Sequence, residues 1–342
     1  MTQEMVKFPS LEQFRTAISN VKRKAKYRGR DENGEPIIDE AAGIPTLSYR
    51  GTVKLHGTNA GIVWSNKEIH YQSRERILSL TQDNAGFMLF MENQRIVVAD
   101  LIVTIMNKVR APVDHVVIFG EWCGAGVQKG VAISEVPKMF VIFGIKINHE
   151  WVDFSTFDLS KYNENRIFSI FQFPTFSMSI DFNNPALIQN DLIAITEKVE
   201  AECPVGKHFG VSGIGEGVVW TCITEGWRSY DHAFKIKGEK HSVSKVKTLA
   251  AVDVEAVKAL ADFVDQVVTE ARLEQGVWNL VHEQLKPIDM TSMGDFIRWV
   301  YNDVLKEEMD TIVASQFDSK KLGGPIANKA RPWFINKVNS QC

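Results

Sequence analysis

Apolar and polar positions along the chain change period several times, and each change marks an element. Period-two runs at residues 48–55, 59–64 and 69–73 predict short β-strands, with Ser65-Asn66-Lys67 as a hairpin turn between the last two. Upstream, residues 10–26 predict a helix, and the polar, turn-rich stretch 29–43 predicts a surface loop. Apolar residues at helical spacing (Phe87, Phe90, Val97, Leu101, Ile105) predict a helix over 83–110. Strands are predicted at 116–121, 139–147 and 150–154, with a turn at Asn148-His149. A helix is predicted at 185–201, then two strands, 216–224 and 230–237, around Glu225-Gly226-Trp227-Arg228. Past Ser244 the period becomes helical: 249–274 has apolar steps of three and four with no Gly or Pro, and two or three more helices follow through Val313. The pattern predicts a mixed α+β body over 1–243 and an all-helical C-terminal domain over 244–342, without an internal repeat.

Composition narrows the function classes. With 39 Lys and Arg against 42 Asp and Glu in 342 residues, the net charge of −3 argues against coating nucleic acid by charge alone. Two stretches, 22–30 and 235–247, are locally basic, and the first reads equally well as a solvated face. No apolar run approaches the roughly 20 residues of a membrane span. The first ten residues lack a signal-peptide core, so a cytoplasmic site is expected. Cys123, Cys203, Cys222 and Cys342 are scattered with no C-x-x-C pair, which disfavours a disulfide framework or a zinc site.

Five pieces carry candidate chemistry. Lys54 closes an apolar strand in Val53-Lys54-Leu55-His56-Gly57-Thr58-Asn59 and can meet a phosphate. As an ordinary lysine it is protonated, so it becomes a nucleophile only if burial or neighbouring positive charge lowers its pKa. Lys235 and Lys237 alternate on one strand face and could supply that charge, and they suit a bound triphosphate. Glu121 ends an apolar strand and enters the Gly-rich Trp122-Cys123-Gly124-Ala125-Gly126, where a carboxylate could hold a ribose hydroxyl or a metal. Glu216 opens another β run and suits Mg²⁺ beside phosphates. Arg74 at a strand end suits a phosphate fork. Singly, most of these are ordinary surface charges. No Walker loop, G-x-G-x-x-G, Ser-His-Asp set or H-E-x-x-H accompanies them. The set suits nucleotidyl transfer through a lysine phosphoramidate.

The order of these pieces resembles the covalent nucleotidyltransferases, and among them the phage RNA ligase 2 family, across about residues 45–240. Lys54-Leu55-His56-Gly57-Thr58-Asn59 is similar to that family's K-x-H-G-x-N motif, where DNA ligases and capping enzymes usually carry K-x-D-G. Arg74 falls at the motif Ia arginine, Phe119-Gly120-Glu121-Trp122 resembles motif III, and Phe140-Val141-Ile142-Phe143 resembles motif IIIa. Glu216-Gly217-Val218-Val219 and Lys235-Ile236-Lys237 are similar to motifs IV and V. Two positions depart from the pattern: Gly144 where an aspartate is common, and Trp220-Thr221-Cys222 where a lysine usually follows motif IV. The helical C-terminal part also fits, since other ligases append an OB barrel.

The resemblance implies an ATP-grasp-like core of antiparallel sheets with flanking helices. It implies an ATP-dependent RNA ligase using Mg²⁺ or Mn²⁺ and a covalent lysyl-AMP. Lys54, Lys235 and Lys237 would be catalytic. Val53, Leu55, His56, Asn59, Arg74, Glu121, Phe143 and Glu216 would line the ATP/AMP site, with Glu216 also on the metal. Glu121 would hold the ribose and Phe143 would stack on the base. The partner would be RNA with a 5′-phosphate and a 3′-OH, a nicked duplex being the favoured form, and Lys240, Lys245 and Lys247 would help clamp it. Alternatives are a DNA ligase, a capping-type nucleotidyltransferase, or a catalytically silent nucleic-acid-binding relative.

Overall fold

The computed structural model describes residues 4–241 and 260–340. In chain order it contains α1 (Phe14–Lys26), β1 (Tyr27–Arg30), β2 (Pro36–Ile38), β3 (Thr46–Lys54), β4 (Thr58–Ser65), β5 (Glu68–Ser73), α2 (Phe87–Glu92) and α3 (Arg95–Met106). Then come β6 (His115–Cys123), β7 (Met139–Ile147), β8 (Glu150–Trp151), β9 (Ile167–Ser169), β10 (Thr175–Asp181), α4 (Gln189–Ala201), α5 (Pro204–His208), β11 (Gly217–Cys222) and β12 (Phe234–Lys237). The helices α6 (Leu260–Val267), α7 (Glu270–His282), α8 (Met293–Ala314) and α9 (Gly323–Asn339) complete it. No helix among the described residues is long and apolar enough to cross a membrane.

The sheets are mainly antiparallel, as the α+β reading expects. One six-stranded sheet has the order β5-β4-β6-β7-β8, with β9 pairing parallel to β7. A four-stranded sheet has the order β10-β3-β11-β12. The residues group into two compact units. Among the described residues, the first holds 4–10, 50–178 and 194–220; the second holds 11–49, 179–193, 221–241 and 260–340. The expected boundary at 243/244 lies outside the described residues.

Within the first unit, the six-stranded sheet has two faces with different jobs. Register pairs Tyr71 with Ile62, Ile62 with Ile118, and Trp122 with Phe140, so these side chains share a face. Phe87 of α2 packs on it, 5.0 Å from the Phe140 ring and 5.7 Å from that of Trp122. The other face carries Asn59, Gly61 and Val63 of β4 opposite Glu121, Phe119 and Val117 of β6.

The helix expected over 83–110 is two helices. Asp83 caps the first through the amides of Met88 and Leu89, and Gln94 leaves helical backbone in the polar run Glu92-Asn93-Gln94. Asn93 in that run is a residue type that competes with the helical ladder. The expected loop 29–43 contains the β1–β2 hairpin, with Tyr27 opposite Ile38; both of its strands are largely exposed, so no apolar alternation marks it. The expected helix 249–274 breaks before Thr269, whose hydroxyl caps α7, and its residues 249–259 lie outside the described ones.

The second unit includes α1, β12 and the C-terminal helices. Phe14 of α1 and Tyr49 both meet Phe234 of β12, at 4.8 and 5.4 Å. Helices α6 to α9 close on Phe263, Val267, Leu280, Phe296, Val300 and Phe334. The i+4 apolar stripe of α8 (Phe296, Val300, Val304, Ile312) is interrupted by Glu308, which is fully buried. Arg15 of α1 reaches it at 3.2 Å and the buried Arg272 of α7 at 3.6 Å, while Arg272 also meets Asp303 at 2.9 Å. Removing one member of such a buried ion set strands the others. Glu308→Ala is therefore expected to cost about 3–5 kcal/mol, measured as a lowered denaturation midpoint, whereas an unchanged midpoint would show that water replaces the carboxylate.

Candidate active site

The site begins where β3 ends. Lys54 is its last residue, and the three-residue connection Leu55-His56-Gly57 turns the chain into β4. The turn is tight because Gly57 lies against β6: a Cβ there would sit 2.3 Å from the Trp122 carbonyl oxygen. The Gly57 amide donates to Glu121 Oε1 at 2.9 Å, so the carboxylate of β6 holds the loop that follows the lysine. Gly120, one residue earlier, is equally constrained, since its Cβ would come 2.4 Å from the Phe140 ring.

Glu216, immediately before β11, supplies the second carboxylate. It is 3 % exposed, and its Oε2 accepts from Lys54 Nζ at 2.8 Å and lies 3.4 Å from His56 Nδ1. Lys54 itself is about one-fifth exposed. Burial alone would pull the Lys54 amine down, but Glu216 and Glu121 outweigh it and hold the pKa above the ordinary lysine value. Lowering the lysine, which the sequence makes the condition for attack, is opposed by these two carboxylates. Burial pushes the Glu121 carboxyl up to about 7, helped by Glu216 and opposed by Lys54.

The remaining expected residues take several positions. Asn59 pairs with Glu121 across β4 and β6 and shares its face. The Arg74 side chain is exposed, donates to Ser10 Oγ at 3.2 Å, and its charge reaches both Lys54 and Glu121. Phe143 of β7 packs against Val63, Val117 and Phe119 of the same face. Val53 and Leu55 are buried, so only their backbone is available to a ligand. Lys235 and Lys237 belong to the second unit, on the half-exposed face of β12. There Lys235 Nζ meets Glu307 Oε1 of α8 at 2.9 Å. Burial would raise the Glu307 carboxyl, but Lys235 beside it and Lys237 bring it down to about 2. Lys240 lies next to β12, while Lys245 and Lys247 are outside the described residues.

Glu307 was not foreseen, because Lys306-Glu307-Glu308 reads as a solvated helix face. Glu308 did leave a signal, a charge at an apolar-stripe position. Among the described residues no group of three or more His, Cys, Asp and Glu comes together as a metal cage. Lys54, His56, Glu121, Glu216 and Asn59 thus form one cluster at the end of β3, with a cation between two carboxylates. Such a cluster can bind a polar ligand by charge and present an amine to an electrophile.

The RNA ligase family model matches residues 48–237, more than half of the 342 residues, and the chain belongs to the RNA ligase family. Solved structures of the Naegleria gruberi RNA ligase with pyrophosphate, of a variant with AMP and Mn, and of another with ATP and Mn each align at 14% identity and a TM-score of 0.44. Each alignment covers 69% of this chain and 56% of the other, so the match extends over little more than half of those ligases. No curated protein matches the sequence.

The Glu121 environment makes a pH-dependent prediction. A carboxyl raised from 4.5 to about 7 contributes fully below pH 4.5, and that contribution is lost as pH rises through 7. Glu121→Gln keeps an acceptor for the Gly57 amide and removes the charge. Its melting temperature is expected to gain on the unaltered protein between pH 5 and 8, by the equivalent of about 1–3 kcal/mol. A difference that stays flat over that range would show that Glu121 is ionised throughout.

Proposed function

We propose that the protein is an ATP-dependent RNA ligase acting through a covalent lysyl-AMP. The observation that carries this reading is Lys54 Nζ, partly buried and 2.8 Å from the Glu216 carboxylate, at the end of a strand whose following turn is held by Glu121. In the first step the Lys54 amine attacks the α-phosphorus of ATP. An N–P bond forms, the P–O bond to pyrophosphate breaks, and the lysine loses its protons. Because Glu216 and Glu121 favour the charged amine, this step requires one of them to turn to another cation.

A hard cation fits that requirement. Glu216 offers oxygen ligands, which suits a hard ion that also keeps waters and borrows phosphate oxygens. Mg²⁺ or Mn²⁺ would be held by Glu216, and when bound it supplies neutralisation of phosphate charge. Glu121 holds the ribose, Phe143 stacks on the adenine, and His56, Asn59 and the backbone of Val53 and Leu55 line the rest. For Lys235 and Lys237 the proposed role is neutralising nucleotide phosphates.

In the second step the 5′-phosphate of an RNA end attacks the lysyl-AMP phosphorus. The P–N bond breaks, an AMP-capped end forms, and Arg74 grips its phosphate by the guanidinium fork. In the third, a 3′-hydroxyl attacks that 5′-phosphate, AMP departs and the strand is sealed. Nicks in duplex RNA are the proposed substrate, recognised by backbone and A-form shape rather than sequence.

The test is incubation with α-³²P-ATP and Mg²⁺, followed by a denaturing gel. Label is expected on the unaltered protein from ATP and not GTP, and none on Lys54→Ala. Its rate should climb with pH between 7 and 9, by up to about tenfold per unit, as the raised lysine deprotonates. A folded protein free of bound AMP that takes no label would leave only the silent binding relative standing.

A further inference from the structure

Residues 4–10 run over the same sheet face as Asn59 and Glu121, without forming a strand of their own. They are pinned there by a device the proposed chemistry does not use. Gln72 of β5 is almost fully buried; its Oε1 accepts from the Val6 amide at 3.0 Å, and its Nε2 donates to the Val6 carbonyl at 2.5 Å. Gln72 lies opposite Gly61, where a Cβ would come 3.0 Å from the Gln72 side chain, so the bare glycine lets the amide lie across the sheet. His70 adds a contact to the Glu4 carbonyl at 3.1 Å. A buried amide with both ends committed is costly unless its partner stays in place, so this segment is held by design of the face rather than by chance packing.

The segment delivers Phe8. Its ring stands edge-on to Phe143 at 4.9 Å and to Phe119 at 5.3 Å, with Trp151 on a third side at 5.5 Å. Phe143 sits at the β6–β7 register shift, where Gly144 rather than Phe143 falls opposite Phe119. Val63, Val117 and Phe119 flank the Phe143 ring on the sheet. Phe8 adds a further, edge-on wall.

We propose that Phe8 is a positioning residue of the nucleotide site, setting the ring on which the base of ATP stacks. This rests on the ligase reading and on Phe143 as its stacking residue. Phe8 touches no reacting atom; it acts through Phe143 and is delivered by the Gln72 clasp. The base part of ATP should therefore feel its loss, and the phosphate part should not.

Pyrophosphate exchange by the full-length protein separates the two, because ATP carries the base and pyrophosphate does not. Phe8→Ala is expected to raise the KM for ATP about five- to tenfold, the scale of a lost aromatic pair, with the KM for pyrophosphate within about twofold of the unaltered protein. Phe8→Tyr should restore the ATP value, and Phe8→Leu, which fills space without a ring, should fall between. Leu also keeps the test open if Ala does not fold. Equal rises in both constants, or no rise in either, would overturn the positioning role while leaving ligation intact. Failure of the unaltered protein to take label from ATP would instead remove the ligase reading and this inference with it.

Discussion

One cation between two carboxylates governs the candidate site. Glu121 and Glu216 face a common space, and two carboxylates so placed cannot both ionise cheaply without positive charge. Lys54 supplies it and is itself held protonated, while burial, against the pull of Lys54, pushes the Glu121 carboxyl upward. The surrounding backbone is fitted to the same point. Gly57 and Gly120 admit no side chain, so the lysine turn and the Glu121 strand approach as closely as main chains allow. Under the proposed ligase reading, the charge that holds the lysine protonated has to be offset before the amine can attack ATP.

The second unit solves a related problem with a different geometry. Lys235 is paired to Glu307 on α8, and the helix carrying Glu307 is anchored through Glu308 to Arg15 and Arg272. The backbone carbonyl of Glu307 also accepts from Gln13 at 3.1 Å. Helical residues far along the chain therefore set the charge around one of the two β12 lysines. This ties α8 to strand β12 on grounds of charge alone.

Much of this was legible in the chain, for identifiable reasons. Strands β4 to β7 announce themselves because they are buried, and alternation or apolar runs follow from that burial. Strand β10 does not, since most of its residues are exposed or half-exposed, and β9 is only three residues long. Lys54, Glu121 and Glu216 stand out through residue types at strand ends beside glycine. Glu307 and Phe8 do not, because each acts through a partner distant in sequence. Nor could Gln72 be read: a polar residue in a strand looks solvated until the segment that covers it is known.

The same remoteness has a consequence during synthesis. Lys54 and Glu216 are 162 positions apart. At translation rates of about 5–20 residues per second, Lys54 waits roughly 10–30 s before its counter-ion is even made. Through that interval the nascent chain carries a lysine at the end of an apolar strand without the carboxylate that will later hold it. The cluster is thus a late product of synthesis, and its ion pair can form only once the chain has been made through Glu216.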